Sequence, residues 1–139
     1  MKDPKMLSSI RDWYIKRLIK KMEHPSDWVA SKFTLRLSRM HGQAVSHVEP
    51  LIKHADPRVR YRAVWILGKS RDPDVFETIL SCVEDPDHRV VYDALMALGD
   101  LGDRRAISYL RALADHFDDD PNGLDGAARI ALTKLGVHH

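Results

Sequence analysis

The sequence predicts an all-α protein: a solenoid of stacked antiparallel helical hairpins, about eight helices in a single domain. Two observations carry this. An acidic helix start, an apolar stretch and a Leu-Gly appear twice, in ADPRVRYRAVWILGKSRDPDV (residues 55–75) and EDPDHRVVYDALMALGDLGDRRA (residues 84–106). In both, the apolar positions keep the 3.6-residue period that gives a helix one buried face. A hairpin of this size cannot bury its faces alone, so neighbouring copies must stack to close a core.

Each element follows from local chemistry. Asp56-Pro57 recurs as Asp85-Pro86. Asp supplies an oxygen for an orphan N–H at a helix start, and Pro costs nothing at the first helical position. The first helix of one copy then carries Val59, Ala63, Ile66 and Leu67 on one face; the next carries Val90, Ala94, Ala97 and Leu98. Gly68 and Gly99 are expected as left-handed helix ends. A second helix follows each: one capped by Asp72, burying Phe76, Leu80 and Val83, and one capped by Asp103, burying Ile107, Leu110 and Ala114. Upstream, an amphipathic helix over about 6 to 23 puts Ile10, Tyr14, Leu18 and Met22 on one face. Ser46 with Glu49 predicts a capping box for a short helix ending near Ala55.

The stretch DPRVRYRAVWILGKSRDPDVFETILSCVED resembles the HEAT-repeat family, in the subtype shared with phycobilin lyases (PBS lyase-like repeats), and GDLGDRRAISYLRALAD resembles the second half of the same unit. The likeness covers residues 56–115. Weaker copies flank it, from Trp28 to Ala55 and from Leu124 to Gly136, where Ala127, Ala131, Leu132 and Leu135 keep the first-helix pattern. The resemblance implies a right-handed stack: a capping helix over 1–25, repeats at 26–55, 56–84 and 85–116, and a C-terminal half-repeat over 117–139. It also implies that Arg60 pairs with a neighbouring repeat's Asp. The equivalent positions hold Val91 and Ala128, so a ladder of such arginines is broken.

Composition narrows the function classes. The chain has 139 residues, 44% apolar and 30% charged, which excludes a disordered segment. No apolar run approaches the roughly 20 residues of a membrane helix. MKDPKMLSSIRDW has no signal-peptide pattern, and Cys82 is the only cysteine, so a reducing, cytoplasmic setting is expected. Charge is unevenly spread. Residues 1–69 carry 15 Lys/Arg and 6 Asp/Glu; residues 70–139 carry 7 and 14. Such a split attracts an acidic partner to one end or favours head-to-tail association.

Catalytic and metal motifs are sparse. The sequence shows no nucleophile–base constellation, phosphate-cradling loop or zinc-spaced Cys/His set. HEAT-repeat hydroxylases of the deoxyhypusine type carry paired His-Glu dipeptides, and this chain has none. Asp118, Asp120, Asn122 and Gly123 imitate the first half of a calcium loop, but Arg129 stands at its twelfth position and Pro121 lies within it, which reads better as an acidic turn. No cofactor or metal is expected. His138 and His139 end the sequence and fit either a native end or a tag.

The expected function is a non-catalytic protein-interaction or scaffold module. Candidate partner-binding residues lie on the first-type helices: Arg58, Tyr61, Arg62, Trp65 and Lys69, facing outward or into the seam between repeats, with Tyr92 and Met96 extending the stripe. Lys32, Arg36 and Arg39 extend its basic edge. Aromatics beside arginine are common anchors of protein interfaces. Two alternatives stand beside this. Nucleic-acid binding is favoured by the basic half and opposed by the acidic one; the alkylpurine DNA glycosylases resemble it in architecture only. A chromophore-lyase or lyase-accessory role rests on the repeat subtype. Partner identity and oligomeric state stay open.

Overall fold

Helix starts in this chain are built by carboxylates, and their positions set the repeat. The computed structural model describes residues 4–138; Met1, Lys2, Asp3 and His139 lie outside the described residues. Among the described residues there are eight α-helices and no strand. They are α1 (Pro4–Met22), α2 (Asp27–Ser38), α3 (Gly42–Val48), α4 (Pro57–Lys69), α5 (Phe76–Ser81), α6 (His88–Leu101), α7 (Ala106–His116) and α8 (Leu124–Lys134). Helices α2, α4, α6 and α8 pack in succession as one layer, with α1, α3, α5 and α7 behind them. One core runs from Ile15 to Leu135.

Asp56 caps α4, its carboxylate accepting the Arg58 N–H, and Pro57 opens the helix as expected. The second copy differs. Its cap is Asp87, which accepts from the Arg89 and Val90 amides, so Asp85-Pro86 precedes the helix. The true repeat is therefore 31 residues, from Asp56 to Asp87, in step with the Leu-Gly spacing. Asp85 takes another role: it accepts the Asp87 N–H, as His54 Nδ1 accepts that of Asp56 and His24 Nδ1 that of Ser26. At α2, α4 and α6 the residue two before the cap thus fixes the chain's entry into the first-layer helix. Asp85 also receives Arg60 in a two-pronged pair at 3.0 and 3.1 Å, as the family resemblance implied, while Arg60 reaches the His54 carbonyl.

The predicted first-helix faces are buried as read: Val59, Ala63, Ile66 and Leu67 on α4, and Val90, Ala94, Ala97 and Leu98 on α6. Each fully buried Val, Ile or Leu among them contributes about 1.5–3 kcal/mol, and each Ala less. Gly68 and Gly99 do something other than end helices. Both lie inside their helices, and the left-handed cap of α6 is Gly102, at φ 78°. A Cβ on Gly68 would stand 2.7 Å from Ala97 Cβ, and one on Gly99 would stand 2.8 Å from Ala131 Cα. The two glycines are contact points where successive first-layer helices nearly touch.

Other expectations shift by a fraction of a turn. In α1 the buried residues are Ile15, Leu18 and Met22, with Tyr14 partly buried and Ile10 exposed. Behind α4, Phe76 is buried together with Ile79 and Cys82, whereas Leu80 and Val83 lie at the edge because the segment tightens into 3₁₀ turns on both sides of α5. Leu110 and Ala114 are buried on α7, with Ala106 in place of the partly buried Ile107. No Ser46–Glu49 capping box forms: Ser46 is inside α3, and the Glu49 carboxylate accepts the Thr78 hydroxyl at 2.8 Å.

Candidate functional site

The first-layer helices leave an open groove of about 490 Å³ where α2, α4 and α6 meet. Its floor is polar and tied down. Arg62, 4% exposed, donates to the Met22 and His24 carbonyls at 2.7 and 2.9 Å and to Asp27 Oδ1 at 2.6 Å. It thereby satisfies the last carbonyl of α1 and one in the α1–α2 turn, and holds that turn against α4. The Tyr61 hydroxyl donates to the same carboxylate. These two hydrogen bonds, Tyr61 first and then Arg62, hold Asp27 below the usual carboxylate range. Burial, and then the bond to Asp27, raises the Tyr61 phenol above its ordinary value.

Asp93 closes the floor from α6. It lies mid-helix at 7% exposure, and burial pushes its carboxyl up to about 6 although Arg89 Nε donates to it at 3.0 Å. The Arg89 guanidinium also lies 4.5 Å from the centre of the Tyr61 ring, a cation–π contact. One connected set of side chains, Asp27–Arg62, Tyr61 and Arg89–Asp93, therefore spans three successive first-layer helices.

The walls are apolar and the rim is cationic. Leu35 is 44% exposed on α2, facing the half-buried indole of Trp65 on α4. Lys32 stands at the rim with its ammonium 4.6 Å from the centre of the Trp28 ring, and the indole is 73% exposed. Among the described residues Lys32 meets no carboxylate, and the two terminal nitrogens of Arg89 meet no hydrogen-bond acceptor. Hydrogen-bonding and apolar surfaces are thus both on offer in one place.

The sequence-predicted residues divide. Lys32, Tyr61, Arg62 and Trp65 come together in this groove, with Tyr61 and Arg62 in the seam rather than on the outer surface. Arg36 is next to it, donating to the Tyr14 hydroxyl at 2.8 Å, and Arg39 is exposed at the end of α2. Arg58 is spent on its own cap, paired with Asp56 and bonded to the Pro25 carbonyl. Lys69 pairs with Asp100 at 3.1 Å beside the Trp65 ring. Tyr92 and Met96 do not continue the stripe: they are partly buried one repeat further on, and α6 presents Arg89 and Asp93 to the groove instead. Equivalent positions therefore need not share a groove: Arg62 and Asp93, one 31-residue repeat apart, both line this one, whereas Tyr92 and Met96 do not.

Asp27, Ser31, Leu35, Arg89 and Asp93 were missed. Asp93 had a signal, a lone carboxylate inside the apolar run VVYDALMAL. A larger hollow of about 750 Å³ on the second layer is lined by Ser46, Glu49, Lys53, Glu77, Thr78 and Ser81 among others, with no aromatic side chain. Among the described residues no three metal-ligating side chains converge. Asp120 caps the turn into α8 by accepting the Asn122 amide, and Asp118 lies 3.6 Å from Arg129. Burial pushes the Cys82 thiol up to about 11, so it is held as a neutral packing group.

This geometry, helix pairs stacked at a 31-residue spacing and joined by Arg60–Asp85, agrees with comparison to known families. The profile for HEAT repeats matches residues 45–133, well over half the chain. The chain belongs to the HEAT-repeat family. Among solved structures, this HEAT-repeat chain is similar to human deoxyhypusine hydroxylase in complex with glycerol, with a TM-score of 0.72 at 15% identity. The superposition covers 95% of this chain and 46% of the hydroxylase, so the chain spans under half of that protein's length. At such identity the likeness shows the fold alone. A search of curated proteins finds no match. No helix among the described residues is long and apolar enough to cross a membrane.

Proposed function

We propose that this HEAT-repeat chain is a non-catalytic module that binds a protein partner in the α2–α4–α6 groove. The partner segment would be acidic and carry a bulky apolar anchor. One observation carries the reading: Leu35 and Trp65 form apolar walls beneath a rim where, among the described residues, Lys32 meets no carboxylate and the outer nitrogens of Arg89 meet no hydrogen-bond acceptor. An apolar anchor would displace water from the walls, while carboxylates at the rim would meet nitrogens of Lys32 and Arg89 that no described carboxylate already occupies. The network beneath pre-orders the floor, which lowers the entropic cost of binding.

Catalysis is the weaker reading because the groove's titratable groups are already committed: Asp27 to Arg62 and Tyr61, Asp93 to Arg89. The chain has no His-Glu dipeptide, which separates it from the hydroxylase chemistry its fold resembles. The phycobilin-lyase likeness of the repeats favours a chromophore-handling alternative, and mixing with a free bilin tests it by a shift in visible absorption. The single, buried Cys82 supports a reducing compartment such as the cytoplasm.

The experiment is a selection of phage-displayed random peptides on the immobilised protein, with a Leu35→Asp variant as counter-screen. Both Leu35 and Lys32 are exposed on α2, so changes there leave the core intact. The reading expects enriched peptides that are acidic, contain a large apolar residue, and lose binding to Leu35→Asp and Lys32→Glu. Enrichment of basic peptides, or of peptides indifferent to both variants, would refute it.

A further inference from the structure

The outer face of α1 carries a second surface unrelated to the groove. Met6, Leu7, Ile10 and Trp13 are 50, 47, 56 and 60% exposed; Met6, Ile10 and Trp13 fall on successive turns of one helix, with Leu7 at the flank beside Met6. Met6, Ile10 and Trp13 follow an i, i+4, i+7 spacing that places them on one side, and Arg17 and Lys20 continue the same line. The opposite side, Ile15, Leu18 and Met22, is the one buried in the core. The helix is thus apolar on two sides, and only one is used by the fold.

Charge says what the other side fits. Residues 4–22 contain six Lys/Arg and one acid, Asp12, which is engaged by His47 Nε2 at 3.2 Å. Among the described residues Lys16, Arg17 and Lys20 meet no carboxylate; the Arg17 guanidinium lies 5.4 Å from the centre of the Trp13 ring. The acidic half of the chain, with 14 Asp/Glu in residues 70–139, builds the other end of the stack. A negatively charged plane would therefore attract the α1 end and repel the α8 end, orienting the molecule.

We propose that the outer face of α1 docks on an anionic lipid bilayer, with Met6, Leu7, Ile10 and Trp13 entering the headgroup boundary and Arg17, Lys16 and Lys20 meeting lipid phosphates. Interfacial helices combine these features: a tryptophan and aliphatic groups that bury shallowly, and lysine and arginine beside them. Nucleic acid supplies the charge but has no apolar surface for Met6, Leu7 and Ile10. A second copy related by a two-fold axis would set two such cationic helices against each other, a repulsive arrangement.

The test is co-flotation of the full chain with vesicles of phosphatidylcholine, and of phosphatidylcholine with phosphatidylserine at roughly three to one. The proposal expects flotation only with the serine-containing vesicles, weakened by salt. Ile10→Asp and Arg17→Glu should each lower partitioning about tenfold or more, with unchanged helix content by circular dichroism. Leu35→Asp should float as the parent does, which separates this surface from the groove. Absence of binding at low salt overturns the proposal. So does binding that Ile10→Asp leaves intact, which marks unspecific charge attraction. Concentration-dependent self-association that Ile10→Asp abolishes, without vesicle binding, assigns the face to a second copy instead.

Discussion

Gly68 and Gly99 give the fold its sharpest test, because one substitution should act with opposite sign at different places in the same chain. Glycine to alanine inside a helix normally stabilises by about 1 kcal/mol, since alanine loses less backbone freedom. At Gly68 the new Cβ would stand 2.7 Å from Ala97 Cβ and 2.8 Å from its Cα; at Gly99 it would stand 2.8 Å from Ala131 Cα. Carbon contacts are comfortable near 3.5–4.0 Å, so α4 and α6, or α6 and α8, must part by about 1 Å. The obstruction is partly backbone and cannot swing aside. Overpacking of this kind costs about 1–3 kcal/mol, and about 2–3 here, where the obstruction includes backbone and the faces are already filled. After the propensity gain, each variant should lose about 1–2 kcal/mol net. Gly126, in α8 with nothing within 4 Å of its Cβ position, is the internal control and should gain up to about 1 kcal/mol as alanine. Urea unfolding followed by circular dichroism reads all three. A midpoint for Gly68→Ala or Gly99→Ala that equals or exceeds the parent's would refute close approach as the reason for these glycines.

Arg62→Met should cost about 2–4 kcal/mol by thermal or urea unfolding, because the Met22 carbonyl that ends α1 and the His24 carbonyl in the following turn lose their donor; Asp27, 65% exposed, can turn to water and limits the loss. Arg62→Lys should recover only part, since one ammonium cannot span three acceptors. Asp93 predicts an unusual pH profile. Its folded carboxyl, at about 6, lies above the ordinary aspartate value near 4, so the folded state binds the proton more tightly. Stability from this group is complete below about 4 and is lost as pH rises through about 6, a change of up to about 2–3 kcal/mol. Asp93→Asn should flatten that slope, whereas Asp27, Asp56 and Asp103, held low by their hydrogen bonds, make the parent less stable only as pH falls below about 4. Fluorescence anisotropy with labelled duplex and single-stranded DNA at low and high salt should show no tight, salt-sensitive complex; micromolar binding that collapses with salt and with Lys32→Glu would favour the nucleic-acid alternative.

Much of the fold was legible because the repeat encodes it locally. Apolar faces of α4 and α6 follow from period alone, and Asp56 and Asp72 act as caps where read. What misled was similarity of short words. Asp85-Pro86 copies Asp56-Pro57 in letters, yet the cap falls on Asp87, because the preceding 3₁₀ turn (Cys82–Glu84) ends immediately before Asp85. Leu-Gly looked like a helix end, whereas the glycine is demanded by a neighbouring helix, information that no single repeat contains. The groove was half visible for the same reason. Tyr61, Arg62 and Trp65 share one helix and were found together, but their counterparts Leu35, Arg89 and Asp93 come from other helices, and their phase depends on how the layers stack. Tyr92 and Met96 share repeat positions with Tyr61 and Trp65, yet they lie outside the groove that Arg62 and its equivalent Asp93 both line, so sequence equivalence alone does not place a side chain in it.

The most direct measurement of the central claim is a residue-resolved NMR titration of the isotopically labelled chain with an acidic peptide that carries one bulky apolar residue. The account predicts that amide signals of Ser31–Leu35, Tyr61–Trp65 and Arg89–Asp93 shift together, that the Trp65 indole signal moves with them, and that Leu35→Asp abolishes the response. Shifts confined to the second-layer face around Glu49, Thr78 and Ser81, or spread over every exposed cation alike, would contradict it.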